Sequence, residues 1–204
     1  MTAITSYASL KSNIIDYIKR PDANSKLDAF IALAEERIKN DLRIRQMEGL
    51  TTVSTSTSDR FAALPTGYIS FRKVTITVDD EDLPLTEKPL REMQVLDSDG
   101  VPGQFAVTDQ IEFNRTSDQV YTVNLHYYSM PTGLSASNTT NVILDNFPMV
   151  YLAGCMVQAT HWTKQKEDNL YWEGVYLSSM RDANKLSRDG RHNRPMAYVT
   201  GMTV

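Results

Sequence analysis

Apolar positions recur at helical spacing at both ends of the chain and alternate in its middle, the period changing near Gly49 and changing back near Asn146. The middle therefore reads as an insertion between helical ends. Tyr7, Leu10, Ile14, Tyr17 and Ile18 share one face of a predicted helix. Thr5 or Ser6 can cap it, and Pro21 forces its end, because proline lacks an N–H and disfavours helix in the residue before it. A second predicted helix starts near Ser25, with Asp28 three residues on as an imperfect capping box. It carries Leu27, Phe30, Ile31, Ala34, Ile38 and Leu42 and runs to about Gln46. Residues 1–48 are thus expected to form a helical hairpin.

From Leu50 to Pro131, Thr, Val, Ser and Tyr dominate and apolar residues alternate, as in Val74, Ile76 and Val78 or Tyr121, Val123, Leu125 and Tyr127. Six or so short strands predict an inserted antiparallel β-sandwich or barrel over residues 49–132. Asp79 to Asp82 reads as a turn, Asp109-Gln110 as a hairpin, and Thr86 to Met93 as a short helix with Pro89 in its first turn. After a Ser, Asn and Thr linker, Phe147 to about Trp162 is apolar on most sides, as in a helix enclosed by others. A further helix, separated by a break near Lys164 to Glu167, is expected to lay Leu170, Tyr171, Val175, Leu177 and Leu186 against it. Residues 133–188 then complete the helical domain, and 189–204 read as an extended tail. The predicted fold is α+β: a four-helix core of two N-terminal and two C-terminal helices, an inserted β domain, and that tail.

Composition adds little. A length of 204 residues supports a self-sufficient core, and 41% apolar with 23% charged residues is ordinary for a globular protein. The net charge of −4 argues against general nucleic-acid affinity, which comes from neutralising phosphates. The basic residues Arg37, Lys39, Arg43 and Arg45 are interleaved with Glu35, Glu36 and Asp41, as on a solvated face. The single cysteine, Cys155, can form no internal disulfide, and the N-terminus carries no leader-like apolar run, which places the expected folding compartment in a reducing cytoplasm. No stretch approaches the length of a membrane span.

Chemistry is hard to place. The three histidines, His126, His161 and His192, have no ligand partners at metal spacing, and Cys155 and His161 lie six residues apart on one predicted helix, on different faces. The acidic turn lacks the alternating ligands of a calcium loop. Gly100-Val101-Pro102-Gly103 is followed by no lysine and opens no helix, as a phosphate cradle would. Trp162, Tyr171, Trp172 and Tyr176 at helical spacing suit a core or a subunit seam better than a ligand platform. No catalytic residue, metal site or cofactor is expected, and the chain reads as a non-enzymatic building block.

The order of several segments carries a resemblance. The run Ala34-Glu35-Glu36-Arg37-Ile38-Lys39-Asn40-Asp41-Leu42-Arg43-Ile44-Arg45-Gln46-Met47-Glu48 leads into Thr-rich strands. Leu64-Pro65-Thr66-Gly67-Tyr68 follows, then a basic strand at Phe71-Arg72-Lys73-Val74 and a Tyr-rich strand at Val123 to Tyr128, with the approach to the apolar helix at Asn141 to Gly154. This layout, across nearly the whole chain, resembles the head-to-tail adaptor proteins of short-tailed bacteriophages. The resemblance implies a ring of copies, expected to be twelve, beneath the portal of the filled capsid. Such a ring extends the DNA channel without sequence-specific DNA binding and offers nozzle and tail-fibre proteins their attachment surface. It implies residence at the virion head-tail junction, after assembly in the host cytoplasm and away from membranes. It also implies a tail that inserts among portal subunits through Arg191, Arg194, Pro195, Met196, Tyr198, Val199 and Met202, while Trp162, Tyr171, Trp172 and Tyr176 pack between subunits. About fifteen extended residues span on the order of 50 Å, enough to cross a neighbour. The competing reading is an oligomeric β-domain module that binds carbohydrate or protein.

Overall fold

The computed structural model describes residues 3–190. The chain divides into two compact units, one built from the segments up to Met47 and from Pro131 onward, the other from Glu48–Met130. The class is α+β, with five α-helices among the described residues and two four-stranded sheets, neither closed into a barrel.

In the first unit, α1 (Tyr7–Ile18) is capped by Ser6, whose hydroxyl accepts from the Ser9 N–H while Ser9 reaches back to the Ser6 backbone. Its end is set by Lys19 in the left-handed region at φ 54°, two residues before Pro21, and a 3₁₀ turn over Pro21–Lys26 follows. The capping box expected at Ser25 and Asp28 is absent. Helix α2 (Leu27–Asp41) starts without a side-chain cap because the 3₁₀ turn runs straight into it, and Asp28 instead accepts from Tyr7 Oη and Lys11 Nζ.

Helix α3 (Val142–Asn146) is capped by Asn141, whose side chain accepts from the Ile143 and Leu144 N–H groups. Helix α4 (Pro148–Thr163) is buried from Val150 to Val157 and is packed against by α1, α2 and α5 (Lys166–Asp189). Close approach is possible because residue 154 is glycine. A Cβ there would lie 3.2 Å from the Ala34 Cβ and 3.4 Å from the Tyr176 ring. Lys164, in the left-handed region at φ 61°, turns the chain from α4 into α5.

The second unit holds β1 (Glu48–Ser54), β2 (Phe61–Ala62), β3 (Tyr68–Val78), β4 (Glu81–Pro84), β5 (Thr86–Glu87), β6 (Gln104–Val107), β7 (Ile111–Phe113) and β8 (Thr122–Ser129). One sheet has the order β1-β8-β3-β4, the other β2-β7-β6-β5. The register places Val53, Val123 and Ile76 in one row and Thr51, Leu125 and Val74 in the next. These rows supply Val123, Leu125, Val74 and Ile76 to a buried cluster that the other sheet completes with Ala62, Phe105, Ile111 and Phe113. All pairs are antiparallel except β5 with β6, which is parallel.

The short helix expected at Thr86 to Met93 does not form. The Thr86 and Lys88 N–H groups donate to the Gly103 and Phe105 carbonyls, which holds Thr86–Glu87 extended as β5 beside β6, and only a 3₁₀ turn at Leu90–Glu92 remains. The Leu64 to Tyr68 motif is a turn: the Tyr68 N–H donates to the Pro65 carbonyl, and Gly67 has φ +70°. That is the position where a type II turn calls for glycine.

Candidate assembly surface

The face that α5 turns outward is fixed by polar contacts on its inner side. Arg37 of α2 donates two hydrogen bonds to Glu173, at 2.7 and 2.5 Å, and its guanidinium lies 4.1 Å from the Tyr176 ring centre. The Tyr176 hydroxyl donates to Asp41 at 3.0 Å. About two and three turns further on, Asn184 accepts from the Arg43 N–H and Ser187 accepts from the Arg45 N–H. Arg37 holds the Glu173 carboxyl below the usual carboxylate range, while burial together with Asp41 pushes the Tyr176 phenol upward.

This inner stripe of Trp172, Tyr176, Met180, Ala183 and Ser187 is buried, and it corrects the expected packing of α5. Leu170, Leu177 and Leu186 do not lie against α4; they are 74%, 49% and 64% exposed. The larger aromatics win the inward positions because they bury more area and find specific partners there: Tyr176 meets the polar Asp41 and Arg37, and Trp172 packs in a T-shaped ring pair with Tyr17 at 5.0 Å. Leu170, Tyr171 and Leu177 remain on the opposite, outward arc beside Gly174, where a Cβ would meet open space.

The four aromatics singled out in the sequence therefore separate. Tyr176 is enclosed within the helical unit and Trp172 nearly so. Trp162 is half-buried between Phe30 and the Arg20 guanidinium, and Tyr171 is 65% exposed. Arg191, Arg194, Pro195, Met196, Tyr198, Val199 and Met202 lie outside the described residues.

At the α4–α5 corner, Thr160, His161, Lys164, Lys166, Asn169 and Leu170 line an open groove of about 540 Å³. Neither the sequence reading nor any motif pointed to it, since it arises from the left-handed turn at Lys164. Cys155, by contrast, is wholly buried, and burial pushes its thiol well above its ordinary range, so it rests as a packed side chain and not as a nucleophile. His161 is exposed at the groove.

One half-buried polar node ties the linker to the helices. Glu35 Oε1 accepts from the Leu134 N–H at 2.7 Å and from the Tyr151 hydroxyl at 3.0 Å, and the Asn141 amide donates to the same hydroxyl at 2.7 Å. Burial raises the Glu35 carboxyl above its usual range, the Leu134 and Tyr151 hydrogen bonds opposing that rise. Among the described residues no cluster of three or more His, Cys, Asp or Glu could hold a metal, and no helix is long and apolar enough to cross a membrane.

The fold is α+β, and Leu170, Tyr171 and Leu177 stand exposed on a helix whose inner side is fastened by Arg37 and Asp41. The model of the SU10 adaptor protein family matches residues 5–198, and the chain belongs to that family, one of structural phage adaptors. No curated protein matches it.

Proposed function

We propose that this adaptor acts as one subunit of a closed ring, of about twelve copies, seated beneath the portal of the filled capsid. The ring extends the channel through which packaged DNA passes, without reading its sequence, and presents the attachment surface for nozzle and tail-fibre proteins. The protein does this as a virion component at the head-tail junction, with no cofactor and no chemistry of its own. Residues Arg191, Arg194, Pro195, Met196, Tyr198, Val199 and Met202 insert among portal subunits, and the outward arc of α5 with Tyr171 packs between copies.

Family membership supports the adaptor role. The observation that carries the ring is the solvent-facing row Leu170, Tyr171 and Leu177, held in place by the Arg37–Glu173 lock on the other side of the helix. Closed symmetry repeats each contact, so a modest interaction per subunit gives a durable junction. Sedimentation velocity of the chain, alone and with purified portal, tests the reading. Co-sedimentation as a ring is expected; a chain that stays monomeric and separate from the portal at every concentration overturns it.

A further inference from the structure

We infer that the acidic β3–β4 turn of one copy seats in the α4–α5 groove of the next, an inference that rests on the ring reading and names one contact that closes it. The groove's lining includes three basic side chains, His161, Lys164 and Lys166, beside apolar Leu170. None of the three is ion-paired among the described residues. Gln165 places no side-chain cap on α5, so the first backbone N–H groups of this 24-residue helix add positive potential beside them. Glu167 and Asp168 follow in the same turn but are not part of the groove lining.

Charge points to the occupant. An exposed segment with the opposite character, and the longest run of consecutive carboxylates in the sequence, is Asp79-Asp80-Glu81-Asp82, followed by Leu83, which is 42% exposed. Asp79, Asp80 and Glu81 have no ion pair among the described residues. The tip is stiff. Asp79 and Asp80 both have positive φ, 48° and 66°, the conformation of a type I′ hairpin turn that Asn-Gly adopts at lower cost. Asp82 is held by the Thr77 hydroxyl and the Asn124 amide, which leaves the remaining carboxylates pointing free of the sheet's own network. A narrow acidic tip carrying one apolar side chain complements a groove with a cationic rim and one apolar wall.

The two patches differ, so the contact is heterologous: each copy offers a turn to one neighbour and a groove to the other, which is how a ring propagates and closes.

Cysteine trapping tests this, because the one native cysteine is buried. Chains carrying Glu81→Cys and chains carrying Lys166→Cys are mixed under mild oxidation, and a chain with both substitutions is oxidised alone. The mixture is expected to give a disulfide-linked heterodimer, and the double variant a ladder of linked oligomers. Adding Asp79→Asn and Asp80→Gly, which keep the turn geometry while removing two charges, is expected to slow trapping about tenfold, as is raising the salt concentration. An internal disulfide in the double variant at high dilution overturns the inference, since the turn would then reach its own groove. Absence of the heterodimer while the unmodified chain sediments as a ring overturns it and leaves the ring reading standing. Absence of both sinks the two together.

Discussion

Arg37 and Glu173, 136 positions apart in sequence, meet in a two-pronged hydrogen bond that clamps α5 onto α2. Planar fork geometry and the Tyr176 ring beneath the guanidinium make this contact stiffer than an ordinary surface pair. Arg37→Ala leaves Glu173 and Asp41 without their cation. It is expected to cost about 1–3 kcal/mol in urea denaturation, with Arg37→Lys recovering only part, because an ammonium cannot donate as a planar fork.

Two carboxylates give opposite pH signatures. Glu173 is lowered by Arg37, so its stabilisation is fully present above the unfolded carboxylate pKa of about 4.3 and is lost as pH falls through the lower folded value. Glu35 is raised by burial, so the folded state binds its proton more readily. That stabilisation is present at low pH and is lost as pH rises through the folded value. Thermal melts should therefore show Glu35→Gln gaining on the parent as pH rises from about 4 to 7, and Glu173→Gln drawing level with the parent only below about pH 4.

The outward arc of α5 separates stability from assembly. Leu177→Asp, at a 49% exposed position, should cost monomer stability about 1 kcal/mol or less, and Tyr171→Asp, which also gives up the ring contact with Trp172 at 5.4 Å, about 1–2 kcal/mol, so both chains should stay folded. Sedimentation in the presence of portal should show assembly lost. Retained assembly in both variants would move the seam elsewhere.

Gly67 is a backbone requirement. At φ +70°, with the Met130 carbonyl oxygen 3.0 Å from where a Cβ would stand, Gly67→Ala combines left-handed strain with a contact too tight for its neighbour. A loss of about 1–2 kcal/mol is expected by chemical denaturation, while Gly103→Ala, where a Cβ meets nothing within 4 Å, serves as the control.

Periodicity alone made much of this architecture readable. Leu10, Ile14, Phe30, Ile31, Ala34 and Ile38 are buried on the faces their spacing assigned them, and Val123 and Leu125 alternate inward along β8 as expected. The apolar run of α4 is enclosed because α1, α2 and α5 all pack against it. What misled was α5, where apolarity was weighed by leucines. The buried stripe of Trp172, Tyr176, Met180, Ala183 and Ser187 sits at equally good helical spacing, and its choice depends on Arg37 and Asp41, partners that no local window contains. The Thr86 to Met93 segment misled for a related reason, since Thr86 and Glu87 are drawn into strand pairing with Gln104 and Phe105, which lie well downstream. The groove was invisible because it follows from a single left-handed residue, Lys164, with no motif to announce it.

The most direct test of the adaptor account is electron microscopy of the purified chain mixed with a portal ring, for full-length protein and for a chain ending at Asn193. The account predicts a closed ring of copies docked on the portal for the full-length protein, and a folded chain that fails to dock for the shortened one. A full-length chain that remains monomeric beside undecorated portals, or a shortened chain that docks equally well, would contradict it.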